Sequence, residues 1–433
     1  MRLPAPAPDG RFCDPERPLV NGTHYEGSRY GSPRRAGVLL GLTTTWVVLA
    51  VFTASVAAQD LVLTDARVIV GSGQVIERGS VVVRNGRIAS VSSGAATAPG
   101  ARTIDARGMT VMPGFIDGHR HIIRGEAAQW FKTEAADRMR EFLEAGYTTL
   151  LEGGGRIPDI LELKKRVDSG QLKGPRIITS ARADPAGFKT ADQARARVQE
   201  IAKAGVEFIK ASITPQATDQ EIALLAAVGE EARRHKTHLM VHAVSPKAMV
   251  AAVKAGSTKL VHTPHNGYLK PEEARLVRDA GIENLSTIGF GVPVFGVFNK
   301  DNVPTFRDGK PWPAGIIDGP GDGREAGEKA VNGRLLWDNG VVYGFGTDTN
   351  YHPRDGLAHE LRALNLMFSP IDLVKLMGPN SAAFVERSHE IGTLEPGKLA
   401  DMVVLEGNPL EGYWHLLDAR IVIKGGEIVV DKR

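Results

Sequence analysis

The chain has a single cysteine in 433 residues, Cys13, so neither a disulfide framework nor a metal site built from cysteines can form. Aromatic residues make up only 6% of the sequence, and the formal net charge is only +3. Residues 60–433 contain no basic cluster, so the sequence gives no indication of a nucleic-acid partner. The length is sufficient to bury a substantial core in one large domain or two.

The N-terminal segment lacks the periodicity of the rest of the chain. Residues 1–35 are rich in Pro, Gly and Arg, and we expect a disordered leader there. Residues 36–59 follow Arg34 and Arg35, carry no charge and end in small residues. This pattern predicts a secretory signal peptide cleaved near Ala58, and hence export to the periplasm or the extracellular space. An uncleaved anchor is the alternative, and the protein would then contact the membrane through this segment alone.

The two ends of the region from residue 60 to residue 433 have similar sequence patterns. Residues 60–112 and 399–433 consist of short β-branched runs separated by Gly and by turns such as Asn85-Gly86. Such runs are typical of β-strands, and Asn-Gly is a strong two-residue hairpin signal. We therefore expect both ends to pair into one small composite β-sandwich.

Between these ends, residues 113–398 alternate between apolar strand-like runs and helical segments, such as the one over residues 219–236. About eight such units predict an α/β fold, a (β/α)8 barrel of the TIM type. Residues 289–334 are the exception, because Gly, Pro and Asp dominate them. The stretch is long for a loop, which favours an inserted lid.

Side chains able to bind metal occur where the barrel strands should end. His119 and His121 are two apart, so on an extended strand they project to the same side. Similar residues end four later runs: Lys210, His242, His262 and Asp348. Each has an ordinary structural explanation, such as a core histidine, a snorkelling lysine or a helix-capping aspartate. Their order on successive strands, whose C-terminal ends form the active sites of barrels, predicts a metal site instead.

Over about residues 60–433 the sequence resembles the amidohydrolase superfamily. The resemblance is carried by the stretches 112–121, 146–149, 242–262, 346–348 and 391–401. It implies that His119, His121 and Asp348 bind one divalent metal ion and that His242 and His262 bind a second. It also implies that Lys210 bridges the two ions as a carbamate derived from carbon dioxide.

The chemistry of these residues is compatible with that assignment. A lysine ammonium has no acceptor, whereas a carbamate has two oxygens, and burial favours the neutral amine from which it forms. Two bound metals could hold a hydroxide and polarise a scissile carbonyl, with Asp348 as the catalytic proton shuttle. Histidine ligands with an oxygen-rich bridge suit Zn²⁺, although Mn²⁺, Co²⁺ and Fe²⁺ also fit. A bridging Glu152 in place of Lys210, or a mononuclear site, remains an alternative.

The sequence indicates less about the substrate than about the metal ligands. Candidate contacts are Glu152, the guanidinium of Arg182, which could clamp a carboxylate, and three residues close behind metal ligands: His265, Tyr268 and His352. Lysine-bridged dipeptidases of this superfamily often carry a tyrosine soon after the lysine, but residues 211–215 contain none. We therefore predict a secreted, metal-dependent hydrolase of an amide-type C–N bond in a small linear or cyclic molecule.

Two other functions stay open at this point. The same site could hydrolyse an ester, a lactone or a phosphotriester, and only a substrate panel separates these reactions. A non-catalytic metal-binding barrel is the third possibility. A small-molecule substrate is the expected partner, and a homo-oligomer is a reasonable default.

Overall fold

A computed structural model of the chain describes residues 60–289, 323–349 and 352–433. The predicted leader, the predicted signal peptide or anchor and most of the predicted lid lie outside these residues. Within the described part, every helix is too short or too polar to cross a membrane.

Strands from both ends of the chain form one eight-stranded sheet, which confirms the predicted pairing of the two ends. The join is antiparallel, with Val111 of one end opposite Val404 of the other. Asn85 and Gly86 both have positive φ angles, as a tight hairpin between two of the strands requires. The buried side chains of the sheet form a core of their own. Its strands are β1 (Leu61–Ile69), β2 (Val75–Arg84), β3 (Arg87–Ser93), β4 (Arg102–Asp105), β5 (Met109–Pro113), β15 (Met402–Glu406), β16 (Ala419–Lys424) and β17 (Glu427–Asp431).

The middle of the chain forms the predicted parallel barrel. Its strands are β6 (Phe115–Arg120), β7 (Tyr147–Glu152), β8 (Arg176–Ile178), β9 (Ser180–Arg182), β10 (Phe208–Ser212), β11 (His238–His242), β12 (Lys259–Val261), β13 (Glu283–Leu285) and β14 (Tyr343–Gly344). Only Thr179 separates β8 from β9, so we count these two segments as one barrel strand. Counted in this way, the barrel has eight strands. The first barrel strand, β6, and the last, β14, meet where Gly118 N donates a hydrogen bond to Phe345 O at 3.0 Å.

Helices lie between the barrel strands, and local sequence explains where they begin. In α5 the Thr218 hydroxyl accepts a hydrogen bond from Glu221 N, and the Glu221 carboxylate accepts one from Thr218 N. Leu225 and Val228, three positions apart on the same helix, are both buried. The helices are α1 (Ala127–Thr133), α2 (Ala135–Glu144), α3 (Ile157–Asp168), α4 (Ala191–Lys203), α5 (Asp219–Arg234), α6 (Pro246–Lys254), α7 (Pro271–Asp279), α8 (Gly323–Asp338), α9 (Pro353–Leu364), α10 (Pro370–Lys375) and α11 (Ser381–Phe384).

Helix α8 changes the interpretation of the predicted lid. Residues 323–334 belong to this helix, which precedes β14, so the last part of the range is a regular barrel element. Irregular composition alone could not show where the helix begins. Residues 290–322 lie outside the described residues, and the lid remains a prediction for them.

The barrel interior is a packed core. Each of seven strands contributes a buried apolar side chain to one cluster, which α11 completes with Phe384: Ile116, Leu151, Ile178, Phe208, Met240, Val261 and Leu285. Side chains alternate along a strand, so Lys210 follows Phe208, and His242 follows Met240, on the same face. The apolar core therefore lies below the polar strand ends.

Candidate metal centre

His119 and His121 converge on one carboxylate. The Nε2 atoms of both rings lie 3.3 Å from Asp348 Oδ1. Asp348 is placed by the backbone as well, because its N–H donates to His119 O at 2.9 Å. The histidine pair at the end of β6 and the aspartate after β14 therefore meet where the barrel closes.

Lys210 lies beside this group in the middle of the buried strand β10. Its Nζ is 3.4 Å from His119 Nε2, and the side chain is almost fully buried. Burial lowers the pKa of Lys210 to about 7, assisted by the nearby charge of Arg182. Burial at this position therefore favours the neutral amine of Lys210.

The other two histidines complete the cluster. The rings of His242 and His262 are 4.3 Å apart, and the His262 ring is 5.3 Å from that of His119. His262 Nδ1 lies 2.8 Å from Thr287 Oγ1 and 3.7 Å from Asp348 Oδ2. All six predicted ligands therefore meet in one cluster at the barrel mouth.

The backbone is unusual at these strand ends. His262, Thr287 and Asp348 have φ angles of 78°, 41° and 44°, in the left-handed region that side chains with a Cβ rarely adopt. Each such residue costs on the order of 1–3 kcal/mol and persists only where the surroundings enforce it. Three of them around one cluster mark a site whose geometry is maintained at the expense of stability.

The electrostatics keep most of the imidazoles neutral. Burial, followed by the charge of Lys210, lowers the pKa of His119 and of His242 to about 3. Burial and His242 hold the pKa of His262 well below its usual value. His121 differs: burial alone would lower its pKa, but hydrogen bonds to Asp348 and Glu152 raise it to about 9.

Asp348 is ionised within this cluster. Burial favours its neutral form, but hydrogen bonds to His119 and His121 outweigh that effect and hold the pKa of Asp348 well below its usual range. Neutral imidazoles and an ionised carboxylate are the forms in which these side chains bind metal, so His121 has to release a proton when it binds.

The donor set fits a divalent cation. Ligand atoms of His119, His262 and Asp348 all lie within 4.8 Å of one another, and all three side chains are largely buried. Gly153 supports the same packing, because a Cβ there would lie 2.8 Å from Cε1 of both His119 and His121. Only glycine leaves room for the two rings at this point.

Glu152 lies behind His121 and not among the cluster's central atoms. Its Oε2 accepts a hydrogen bond from Ile122 N at 2.9 Å, and its Oε1 is 3.6 Å from His121 Nδ1. This geometry suits a residue that orients His121. Lys210, by contrast, lies next to His119, with its Nζ 3.4 Å from His119 Nε2.

Sequence reasoning missed Asp117. Its buried Oδ2 accepts a hydrogen bond from Thr347 Oγ1 at 2.6 Å, and its Oδ1 accepts from Thr347 N and His119 N at 3.1 Å. Burial raises the pKa of Asp117 to about 6 despite the nearby Arg120. Arg120 is buried too and donates to Thr347 Oγ1 at 2.9 Å. A carboxylate two residues before a histidine pair was the available signal.

The remaining candidate contacts differ in their surroundings. Arg182 is exposed and forms an ion pair of 3.2 Å with Asp184. Tyr268 is 58% exposed. His352 is exposed, and its Nδ1 is 3.2 Å from Glu141 Oε2 on α2. His265 is partly buried, with Nδ1 3.1 Å from Thr263 O. His265 is the least exposed of these four residues.

Known hydrolases are similar to this chain over most of its length. An imidazolonepropionase of Geobacillus thermodenitrificans (strain NG80-2) is 26% identical over 409 residues, which cover 83% of this chain and 92% of that protein. The crystal structure of a candidate prolidase from Bifidobacterium longum is similar with a TM-score of 0.72 and 25% identity, covering 87% of this chain and 97% of the other. Molinate hydrolase shares the fold at a TM-score of 0.69 and 16% identity, covering 86% and 95%. The amidohydrolase family model matches residues 110–429, and the chain belongs to this family.

Proposed function

We propose that the protein is a metal-dependent hydrolase that cleaves an amide-type C–N bond in a small molecule. The observation that carries the proposal is the convergence of His119, His121 and His262 on the Asp348 carboxylate, with Lys210 alongside. The family relationship supports hydrolysis. The similar protein from Geobacillus thermodenitrificans is an imidazolonepropionase, an enzyme that cleaves a C–N bond.

Metal binding is proposed in two parts. His119, His121 and Asp348 would hold one divalent ion, and His242 and His262 would hold a second; Zn²⁺ suits these ligands best. Bound ions of this kind supply Lewis acidity and an activated water. The neutral amine of Lys210 would form an N–C bond to carbon dioxide and release one proton, which gives a carbamate whose two oxygens can bridge the pair.

Asp348 would move the proton in the reaction. Its side chain is 12% exposed, so a substrate can reach it, and it is ionised because its pKa is held well below the usual range. It would accept the proton of the attacking water and deliver it to the leaving nitrogen. Glu152 would keep the His121 ring in place through its contact with Nδ1.

A substrate panel tests this function. We expect the metal-loaded protein to hydrolyse at least one member of a set of N-acyl amino acids, dipeptides, cyclic amides and lactones, with an amide preferred over the corresponding ester. Exclusive hydrolysis of lactones or esters would replace the proposed bond type. No hydrolysis by fully loaded protein would instead favour a binding role.

Export is a separate proposal that rests on residues 36–59. The mature chain should begin near residue 59, and mass spectrometry of the N-terminus of protein from the native host checks this. A retained hydrophobic segment in membrane-bound protein would identify an anchor instead.

A further inference from the structure

Arg182 lies one strand away from Lys210 and on the same face of the barrel sheet. The two residues are partners in the parallel register of β9 and β10, and Ser180 is in the same way the partner of Phe208. Phe208 belongs to the apolar cluster inside the barrel. Partners in register on neighbouring strands, about 4.8 Å apart, project to the same side of a sheet. The Arg182 side chain therefore lies on the inner face of the barrel mouth, beside the proposed bridging lysine.

Gly154 gives a direct measure of this proximity. A Cβ on Gly154 would lie 3.1 Å from Lys210 Cγ, 3.0 Å from Arg182 Cγ and 3.3 Å from Arg182 Nε. Both side chains thus pass over the same point of the backbone, and only glycine leaves room for them there. Lys210 Nζ in turn lies 3.4 Å from His119 Nε2. The guanidinium of Arg182 is therefore within reach of a small molecule bound over the metal ligands.

The backbone holds the base of the Arg182 side chain in place. Ala183 N donates to Lys210 O at 2.8 Å, immediately after Arg182. Arg197 Nε of α4 donates to Arg182 O at 2.9 Å. The starting point of the side chain is thus fixed before any ligand arrives, which reduces the entropy that binding costs.

One edge of the Arg182 guanidinium is available to a ligand. The ion pair of Arg182 runs from Nη1 to Asp184 Oδ2 at 3.2 Å, and the two side chains are 45% and 29% exposed. Exposed pairs of this kind contribute little to stability. Nε and Nη2 donate no hydrogen bond to the part of the chain that the structure describes. These two N–H groups form the planar fork that binds both oxygens of a carboxylate.

We propose that the Nε–Nη2 edge of Arg182 binds a carboxylate of the substrate while the scissile amide lies over the metal ligands. The ion pair with Asp184 can persist, because it uses Nη1. This inference rests on the proposed amide hydrolysis and deepens it, since it names the substrate class: small amides that carry a carboxylate close to the bond that breaks, such as N-acyl amino acids.

The kinetic test replaces the carboxylate of the best carboxylate-bearing substrate by a neutral carboxamide. We expect the wild type to prefer the carboxylate by about tenfold to a hundredfold in kcat/KM, because the neutral compound loses two charge-assisted hydrogen bonds. In Arg182→Met, which keeps an unbranched stem without the charge, this preference should fall towards one with metal content unchanged. Arg182→Lys keeps the charge without the fork and should show an intermediate preference.

Arg156→Met is the matched control. Arg156 follows the glycines 153–155 at the same end of the barrel, its side chain is 72% exposed, and it pairs with Asp159 at 3.3 Å. This variant removes the same charge and should keep the wild-type preference. An equal loss of preference in Arg156→Met and Arg182→Met would assign the effect to long-range charge and would overturn the subsite.

Three other kinetic results would also overturn the subsite. The wild type could fail to distinguish the carboxylate from the carboxamide. Arg182→Met could keep the full preference. The panel could contain uncharged amides that are cleaved while every carboxylate-bearing amide is refused.

A binding measurement separates this subsite from the proposed function. Isothermal titration calorimetry on metal-loaded Asp348→Asn, whose turnover is strongly reduced, compares N-acetylglycine with N-acetylglycine amide. We expect the carboxylate to bind at least about tenfold more tightly, and Arg182→Met in the same background to remove most of this difference. Equal binding of both compounds would overturn the subsite. A failure of the proposed function is recognised separately, as fully loaded wild-type protein that cleaves nothing in the panel, and the binding measurement then still decides on Arg182.

Discussion

Thr347 and Asp117 bind each other across the seam where the first and last barrel strands meet. The Thr347 hydroxyl donates to Asp117 Oδ2 at 2.6 Å, and the Thr347 N–H donates to Asp117 Oδ1 at 3.1 Å. Both residues are buried. Asp117 lies two positions before the proposed ligand His119, and Thr347 directly precedes the proposed ligand Asp348. The pair therefore links the strand that carries His119 to the segment that carries Asp348.

Replacing Thr347 by valine should weaken this seam. The change leaves Asp117 Oδ2 with one donor fewer in a buried position, which costs about 1–3 kcal/mol of stability. It should also lower kcat, because Asp348 follows directly. Urea unfolding and steady-state kinetics measure both effects. Thr347→Ser keeps the hydroxyl and should behave nearly as wild type, whereas equal losses in both variants would assign the effect to packing.

Asp348→Asn separates proton transfer from metal binding. The asparagine oxygen can still ligate a cation but cannot take up a proton, so we expect most of the metal to remain while kcat falls by about 10²–10⁴-fold. Metal analysis and kinetics on the same preparation check this. An active Asp348→Asn would remove the proposed shuttle.

Local patterns made most of the fold predictable. The Asn85-Gly86 hairpin, the β-branched runs at both ends and the alternation of strands and helices depend on residues close in sequence. The ligands were visible for the same reason, since His242 and Lys210 are the last polar residues of apolar runs. The amidohydrolase resemblance then assigned their roles.

Contacts between residues far apart in sequence were not predictable. Asp117 and Thr347 are 230 positions apart, and nothing local marks the aspartate as the partner of a threonine. The interruption between β8 and β9 at Thr179 is not marked by the local sequence either. Glu325 and Lys329 lie in a range predicted as an irregular lid, because the Gly- and Pro-rich residues before them concealed the start of α8.

The barrel and the composite sheet are held together by a buried ion pair. Arg176 Nη1 lies 2.6 Å from Asp401 Oδ2, while Asp401 Oδ1 accepts from Gly425 N at 2.7 Å. Asp401→Ala should cost about 3–5 kcal/mol of stability, because it leaves Arg176 unpaired in a largely buried position. The exposed pair of Arg67 and Glu77, 2.7 Å long, provides the control. Glu77→Ala should cost less than about 1 kcal/mol in the same urea titration. Similar costs would contradict the assigned role of Asp401.

Glu360 should make stability depend on pH. Burial raises the pKa of Glu360 from about 4.5 to about 7, although its carboxylate accepts hydrogen bonds from Ser286 Oγ and from Ile288 N and Gly289 N. The folded protein thus holds this proton more tightly than the unfolded chain. The stabilisation is full below about pH 4.5 and is lost as the pH rises through about 7.

Glu360→Gln isolates this contribution. Between about pH 5 and pH 8, the free energy of unfolding of the wild type should fall by about 1–3 kcal/mol relative to that of the variant. Urea unfolding at several pH values measures the difference. A difference independent of pH would show that Glu360 keeps an ordinary affinity for its proton in the folded protein.

Metal analysis of the purified protein, carried out together with Lys210→Ala, tests the central claim most directly. If the six strand-end residues build a bridged centre, the wild type should bind two equivalents of divalent metal per chain and Lys210→Ala at most one, with activity lost in the variant. A wild type that binds no stoichiometric metal, or a Lys210→Ala protein with two equivalents and full activity, would contradict the account.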